Sequence, residues 1–274
     1  MKLSVAIVLT VLLILPFVAC DEQASLQDAI ARAIARTSEV RSYHSAGNST
    51  TYTDTITYEG SSEVAYAAPD RWHLSETVIV DGGENVTTTT SSNGGNVTVT
   101  AGGGWFETIV VGDKGYLRSS NESQWTICEV HTSRLTQPTP GASTCFVSIQ
   151  TLENKLELFN YLVELEVLPD EEINGVKCSH YRGRVDQDSY VDMLRKRQEE
   201  EYRQIPPENL ELMRRREIVV ELWIDGDDYI RQQGTEFRSP DPISQEKWVT
   251  GLSTTRYFDF NEPICIEPPE IEPE

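Results

Sequence analysis

Between Ser42 and Val130 the chain is a succession of short β-forming runs separated by turn residues, and nothing else in it restricts the fold as much. Thr51 to Tyr58 is β-branched or aromatic at alternate positions, and Trp72 to Val80 is a second such run. Alternation of this kind sends side chains to opposite faces of a strand. Glu59-Gly60, Pro69-Asp70, Asp81-Gly82-Gly83 and Gly112-Asp113-Lys114-Gly115 supply the turns. Asn93-Gly94-Gly95, between Val86–Ser91 and Asn96–Thr100, is a hairpin signal. Trp105–Val111, Tyr116–Arg118 and Trp125–Cys128 continue the series, which predicts an antiparallel meander.

Helical periodicity surrounds the meander. From Asp21 to about Tyr43, the residues Leu26, Ile30, Ala33, Ile34, Thr37 and Val40 recur at three- and four-residue steps, predicting a helix with one buried stripe. Val147 to about Leu165 predicts a second helix, with Leu152, Leu156, Phe159, Leu162 and Val163 on one face, and Glu164 to Leu168 opens a strand. Gln187–Ile205 and Glu208–Arg216 read as polar helices interrupted by Pro206-Pro207. Val176–Val185, Ile218–Ile224, Tyr229–Phe237 and Trp248–Phe260 read as strands, and the Pro- and Glu-rich tail beyond Cys265 as extended or disordered. This order predicts an α+β domain: an antiparallel sheet with helices gathered on one face.

The first twenty residues place the protein. Lys2 is a short basic region, Leu3 to Leu15 is nearly all apolar, and Pro16 ends the run. A membrane-spanning helix needs about 20 apolar residues, so this stretch fits the core of a signal peptide. Phe17-Val18-Ala19-Cys20 resembles the bacterial lipobox, with Phe17 where Leu is usual. The resemblance implies cleavage after Ala19 and lipidation of Cys20 by diacylglycerol and an N-terminal acyl chain such as palmitate. Two or more chains give stable anchoring. Asp21 resembles the inner-membrane retention signal of some diderm bacteria. The expected organisation is a signal peptide over 1–19, a lipid-anchored linker over 20–24, one domain over 25–265 and an acidic tail over 266–274. The expected location is the cell envelope, on the outer face of the cytoplasmic membrane.

A net charge of −21 argues against nucleic acid as a partner and against docking on anionic lipid by charge alone. The five cysteines leave four once Cys20 is set aside: Cys128, Cys145, Cys178 and Cys265. An even count in an exported chain suggests two disulfides. Three pairings are open, and Cys128–Cys145 with Cys178–Cys265 is the favoured one. His44, His73, His131 and His180 show no ligand spacing with them beyond Cys178-Ser-His180 and Cys128-x-x-His131, so no metal is expected. Asp225-Gly-Asp-Asp228 lacks the spacing and closing Glu of a calcium loop and reads as a turn between strands. Arg214-Arg215-Arg216 reads as a solvated helix end. No nucleophile elbow, P-loop or H-E-x-x-H motif is present, and neither an enzyme nor a cofactor is expected.

A resemblance enters through the order of several short segments. Val40-Arg-Ser-Tyr-His-Ser-Ala-Gly47 precedes a Thr-rich strand, and Ala68-Pro69-Asp70-Arg71-Trp72-His73 follows. Gly112-Asp-Lys-Gly-Tyr-Leu-Arg118 leads to Trp125, then Asn174-Gly-Val-Lys-Cys-Ser-His-Tyr181 and Glu221-Leu-Trp-Ile-Asp225. In this order they resemble the LolA-like superfamily of exported lipid-binding proteins, which includes outer-membrane lipoprotein carriers and LppX/LprG-type lipoproteins. The resemblance implies a curved, unclosed half-barrel with helices on its concave face and an apolar cavity between them. Candidates to line that cavity are Trp72, Leu74, Trp105, Tyr116, Trp125, Leu156, Phe159, Leu162 and Trp223.

The carriers have an Arg immediately before the Pro that matches Pro69; here that position is Ala68. An anchored chain cannot ferry cargo, so the resemblance implies a fixed, monomeric lipoprotein that binds a lipid or other hydrophobic ligand. The alternative is an envelope sensor of the RseB-like kind, which binds a protein or lipoprotein partner without catalysis.

Overall fold

The computed structural model describes residues 23–81, 88–92, 95–99, 103–131, 146–148, 152–201, 206–241 and 246–271. The expected signal peptide and Cys20 lie outside these residues, as do Cys145 and the expected turn at Asn93-Gly94. Helix α1 occupies residues 23–38. The strands β1 (Ser42–Tyr52), β2 (Thr57–Ala67), β3 (Arg71–Asp81), β4 (Thr88–Ser92), β5 (Gly95–Val99), β6 (Gly104–Val111), β7 (Lys114–Ser119), β8 (Thr126–His131) and β9 (Phe146–Ser148) follow. Helix α2 (Leu152–Leu156) runs into a 3-10 turn (Glu157–Tyr161), then come β10 (Leu162–Ile173) and β11 (Val176–Val185). Helices α3 (Gln187–Glu201) and α4 (Pro207–Arg214) lead to β12 (Glu217–Asp225), β13 (Ile230–Pro240) and β14 (Trp248–Phe258).

Twelve strands form one sheet in the order β10-β11-β12-β13-β14-β1-β2-β3-β6-β7-β8-β9, which does not close on itself. Neighbours are antiparallel except β9, which joins β8 in parallel. The hairpin of β4 and β5 stands apart as a two-stranded sheet, with Ser92 opposite Gly95. The architecture is the expected α+β arrangement with an unclosed antiparallel sheet.

The main core lies on one face. Trp72, Leu74, Val78 and Val80 alternate along β3, and Phe106 and Val110 along β6. They meet Tyr43, Val64 and Tyr66 from β1 and β2, and Val220, Leu222 and Ile224 from β12. The cover is α1, whose Ile30, Ala33, Ile34 and Thr37 are buried in the predicted stripe. Burying one such aliphatic side chain is worth about 1.5–3 kcal/mol.

Two side chains fix the helix across the sheet. At one end the Gln23 amide donates to the Leu165 carbonyl (2.7 Å) and accepts from the Leu165 N–H (3.2 Å). At the other the Ile230 N–H donates to the fully buried Thr37 Oγ1 (2.9 Å).

Four elements differ from the sequence reading. Thr51–Tyr58 is not one strand: β1 ends at Tyr52, the chain reverses through Thr53–Ile56 (Thr53 N–H to the Ile56 carbonyl, 2.9 Å), and Glu59-Gly60 lies inside β2, because pairing with β1 extends through it. The helix expected over Val147–Leu165 is only α2 and a 3-10 turn, because β10 begins at Leu162, pairing with Val185. β10 then continues through Pro169, since it is an edge strand and one missing N–H can face solvent there. The tail is not free beyond Cys265. Ile266 is buried against Ile109 and Tyr116, and Arg71 Nη1 donates to its carbonyl at 2.6 Å.

The Asp225 turn forms as expected. Asp225 Oδ1 accepts from the N–H groups of Asp227 and Tyr229, both at 2.9 Å, and Oδ2 meets Arg231 Nε at 2.6 Å. Arg214 is held by Asp188 and by Asp192 at 2.6 Å, so this part of the basic cluster is paired rather than solvated.

Thr37→Val keeps the shape of the side chain and leaves the Ile230 N–H buried without an acceptor. Stability in urea should fall by about 1–3 kcal/mol. An unchanged midpoint would mean that α1 is not tied to β13 through this bond.

Candidate functional site

A half-open pocket of about 260 Å³, lined by polar as well as apolar groups, lies between α1 and the segment that leads from the 3-10 turn into β10. Its floor is Ile30, Ile34, Phe159, Leu162 and Leu165. Gln27, Asp28 and Asn160 are exposed at its mouth, with Ala31 on the helix beside them. Each part is held by a local cause. Ile30 and Ile34 are one helical turn apart on the buried stripe of α1. Phe159 is the buried residue of the 3-10 turn. That turn is clamped from outside: Arg197 on α3 bonds Glu157 (Nη1 to Oε2, 2.9 Å), and Tyr161 packs edge-on against Tyr190 at 5.5 Å.

Leu165 faces the pocket because β10 is bulged between Val163 and Glu166, with Glu164 at φ 55°. Gly183 on β11 admits the Leu165 side chain: a Cβ there would stand 2.7 Å from Leu165 Cδ2. The arrangement can hold an apolar chain on its floor and a polar group at its mouth. Its volume lies just under the roughly 300–1,000 Å³ of typical ligand pockets. A second hollow of about 190 Å³, on the same face of the central strands, is lined by Gly47, Ser49, Gly60, Ser62, Glu76, Ser253 and Thr255 and is polar.

The sequence-derived candidates divide by strand parity. Trp72, Leu74, Leu156, Phe159 and Leu162 are buried in the main core, and Phe159 and Leu162 line the pocket. Trp105, Tyr116, Trp125 and Trp223 do not face the helices. Trp105 and Ile109 alternate with the core residues Phe106 and Val110, so they point to the opposite, convex face. There Tyr116 and Ile109 are covered by Ile266, with Trp125 packed beside them.

Arg118 on this convex face bonds Glu107 (Nε to Oε2, 2.6 Å) and stacks over Trp125 at 4.5 Å, while His73 Nε2 meets Glu107 Oε1 at 2.7 Å. Trp223 belongs to another convex cluster, with Ile173 and Cys178, and stacks on His180 at 4.1 Å. Sequence reasoning placed Ile30 and Ile34 on a buried helix face without assigning them to the cavity, and it missed Leu165, Gln27 and Asn160. The apolar stripe of α1 was the available signal for the first two. The bulge that turns Leu165 inward has no local signature.

The expected Cys178–Cys265 disulfide is absent: both are free thiols, Cys178 buried and Cys265 exposed. The reason is topological. Cys178 packs with Ile173 and Trp223 near the β10 edge, whereas the tail carries Cys265 to β3, β6 and β7, next to Ile266. Cys128 is buried in β8, and its expected partner Cys145 lies outside the described residues. Among the described residues no group of three or more His, Cys, Asp or Glu side chains could hold a metal ion.

No family model matches the chain, and no curated protein matches it in sequence. Solved structures do match. The lipoprotein LppX of Mycobacterium tuberculosis is 15% identical, with 89% of this chain and 99% of that chain covered and a TM-score of 0.43. LprF of Mycobacterium bovis is 10% identical over 90% of this chain and 97% of its own, with a TM-score of 0.47. A putative outer membrane lipoprotein-sorting protein domain from Vibrio parahaemolyticus is 11% identical, over 84% of this chain and 91% of that one, with a TM-score of 0.28.

Burial, and then the nearby Asp225 carboxylate, pushes the Cys178 thiol above its ordinary pKa. A raised pKa keeps it protonated and unreactive through neutral pH. Iodoacetamide at neutral pH should therefore modify Cys265 in the folded protein, with Cys178 following only at high pH or on unfolding, as read by peptide mass spectrometry. Equal protection of both would restore the disulfide.

Proposed function

We propose that this protein is an exported lipoprotein, anchored through Cys20, that binds a lipid or other hydrophobic ligand between its sheet and α1. The observation that carries the reading is the pocket itself, with an apolar floor of Ile30, Ile34, Phe159, Leu162 and Leu165 and a polar mouth. Ligand pockets of this character combine apolar lining with a few placed polar groups. The leader ending in Cys20 and the order of lipid-carrier-like segments support it from the sequence.

The pocket's size suits part of an acyl chain. The polar mouth suits the ester or headgroup end of that chain. The same proposal includes a single monomeric domain over 25–265 and a Cys128–Cys145 disulfide closing the segment between them. It places the chain on the outer face of the cytoplasmic membrane, with no nucleic-acid partner. The net charge of −21 supports that last point.

Native mass spectrometry of protein purified from membranes should show a bound lipid that solvent extraction removes. Ala31 is exposed at the mouth, so Ala31→Trp fills the entrance without disturbing the core. Titration with a fluorescent fatty acid should show affinity at least about tenfold weaker for this variant, the scale expected when a preformed pocket is blocked. Equal affinity would place the ligand elsewhere. Separately, Cys20→Ala should move the protein from the membrane fraction to the soluble one.

A further inference from the structure

Four exposed apolar side chains of the convex face, Tyr52, Ile79, Trp105 and Leu252, lie toward one end of the central strands, apart from the exposed Ile127 on β8. Antiparallel register places Leu252 opposite Thr50, Thr50 opposite Glu59 and Glu59 opposite Ile79, so Leu252 and Ile79 stand in one row on one face. Tyr52 is two residues along from Thr50, and Trp105 pairs with Thr77, two residues from Ile79. All four are between 39% and 52% exposed. Further toward the same end, Trp248 has the guanidinium groups of Arg238 (4.5 Å) and Arg215 (5.9 Å) near its ring, both arginines being exposed. Aromatic rings with cations beside them suit the headgroup level of a bilayer, where Trp and Tyr concentrate.

The first residue of α1 lies toward this same end. Gln23 bonds Leu165, whose side chain lies over Gly183. Gly183 belongs to the row Val220, Thr235, Ser253, Ser49, Gly60 and Val78, one residue from the row that holds Leu252 and Ile79. Thr37, near the far end of α1, meets Ile230 at the opposite end of the sheet. Cys20 is three residues from Gln23, a reach of about 11 Å at full extension.

We propose that the end of the sheet carrying Tyr52, Ile79, Trp105, Trp248 and Leu252 is a membrane-contact surface that rests on the bilayer holding the acyl chains of Cys20. This rests on the anchoring reading above. The pocket mouth then lies along the first turns of α1, since Ala31 is about 12 Å of helix rise from Gln23. A ligand enters from the membrane beside it rather than from bulk solvent. The net charge of −21, with Glu59 inside the row and Glu236 next to Leu252 at its end, means that apolar and aromatic burial makes the contact and attraction to anionic lipid does not.

The test uses full-length lipidated protein in phosphatidylcholine vesicles with brominated acyl chains, read by tryptophan fluorescence, with co-sedimentation measured in parallel. Bromolipid should quench part of the emission. Trp105→Phe combined with Trp248→Phe should cut the quenched amplitude about threefold or more, as expected of interfacial rings. Trp223→Phe, in the buried convex cluster, should leave it unchanged. Ile79→Asp changes an exposed position and should also reduce quenching. Co-sedimentation with no quenching, or with quenching indifferent to Trp105 and Trp248, overturns the contact surface and leaves the anchor standing. Absence of co-sedimentation overturns the Cys20 reading, and the contact surface with it.

Discussion

A sheet that does not close must have its apolar face covered by something else, and here that burden falls largely on α1. Ile30, Ala33 and Ile34 lie against the alternating core residues of β1, β2, β3 and β12, so the largest apolar burial in the molecule depends on how the helix lies across the strands. Packing is non-directional and would tolerate sliding. Hydrogen bonds remove that freedom. Leu165 sits in the bulge of β10, where its N–H and carbonyl leave the ladder, and the Gln23 amide takes both. Ile230 begins β13 next to the register shift between Trp223 and Ile224, and Thr37 accepts its N–H. The irregular points of the sheet are where the helix is attached.

The pocket follows from the same geometry. A helix is a rod, and its stripe cannot stay in contact with a sheet everywhere. The gap opens toward the β10 edge, beside the 3-10 turn, where the chain changes from helix to strand. The opposite face shows the complementary solution. Ile109 and Tyr116 would be an exposed apolar patch, and the tail crosses them with Ile264 and Ile266. Arg71 holds the strap by its backbone, which fixes the crossing more firmly than one isoleucine could.

Much of the architecture was legible because it obeys short periods. The stripe of α1 is written at steps of three and four, and the meander alternates in twos, although its first hairpin turns at Thr53–Ile56, inside an alternating run, and not at Glu59-Gly60. The failures come where neighbours override the local pattern. Leu156, Phe159 and Leu162 keep helical spacing, yet Leu162 pairs with Val185 because β11 needs a partner on that side. Pro169 reads as a strand breaker and is tolerated at an edge. Cys178 and Cys265 look like a pair by count and are separated by most of the width of the sheet.

The sequence by itself determined the class of fold and the helix face that is buried, because each depends on residues close together along the chain. It could state that Trp72 and Trp105 each occupy one face of a strand. It could not state which face is covered by helices, because parity is relative until an adjacent layer is placed. Only the tertiary structure decided that Trp72 belongs to the core while Trp105, Tyr116, Trp125 and Trp223 look outward. It also brought Leu165, Phe159 and Ile34 to one pocket. Such choices rest on contacts between residues more than a hundred positions apart, made by register and packing, and no local pattern encodes them.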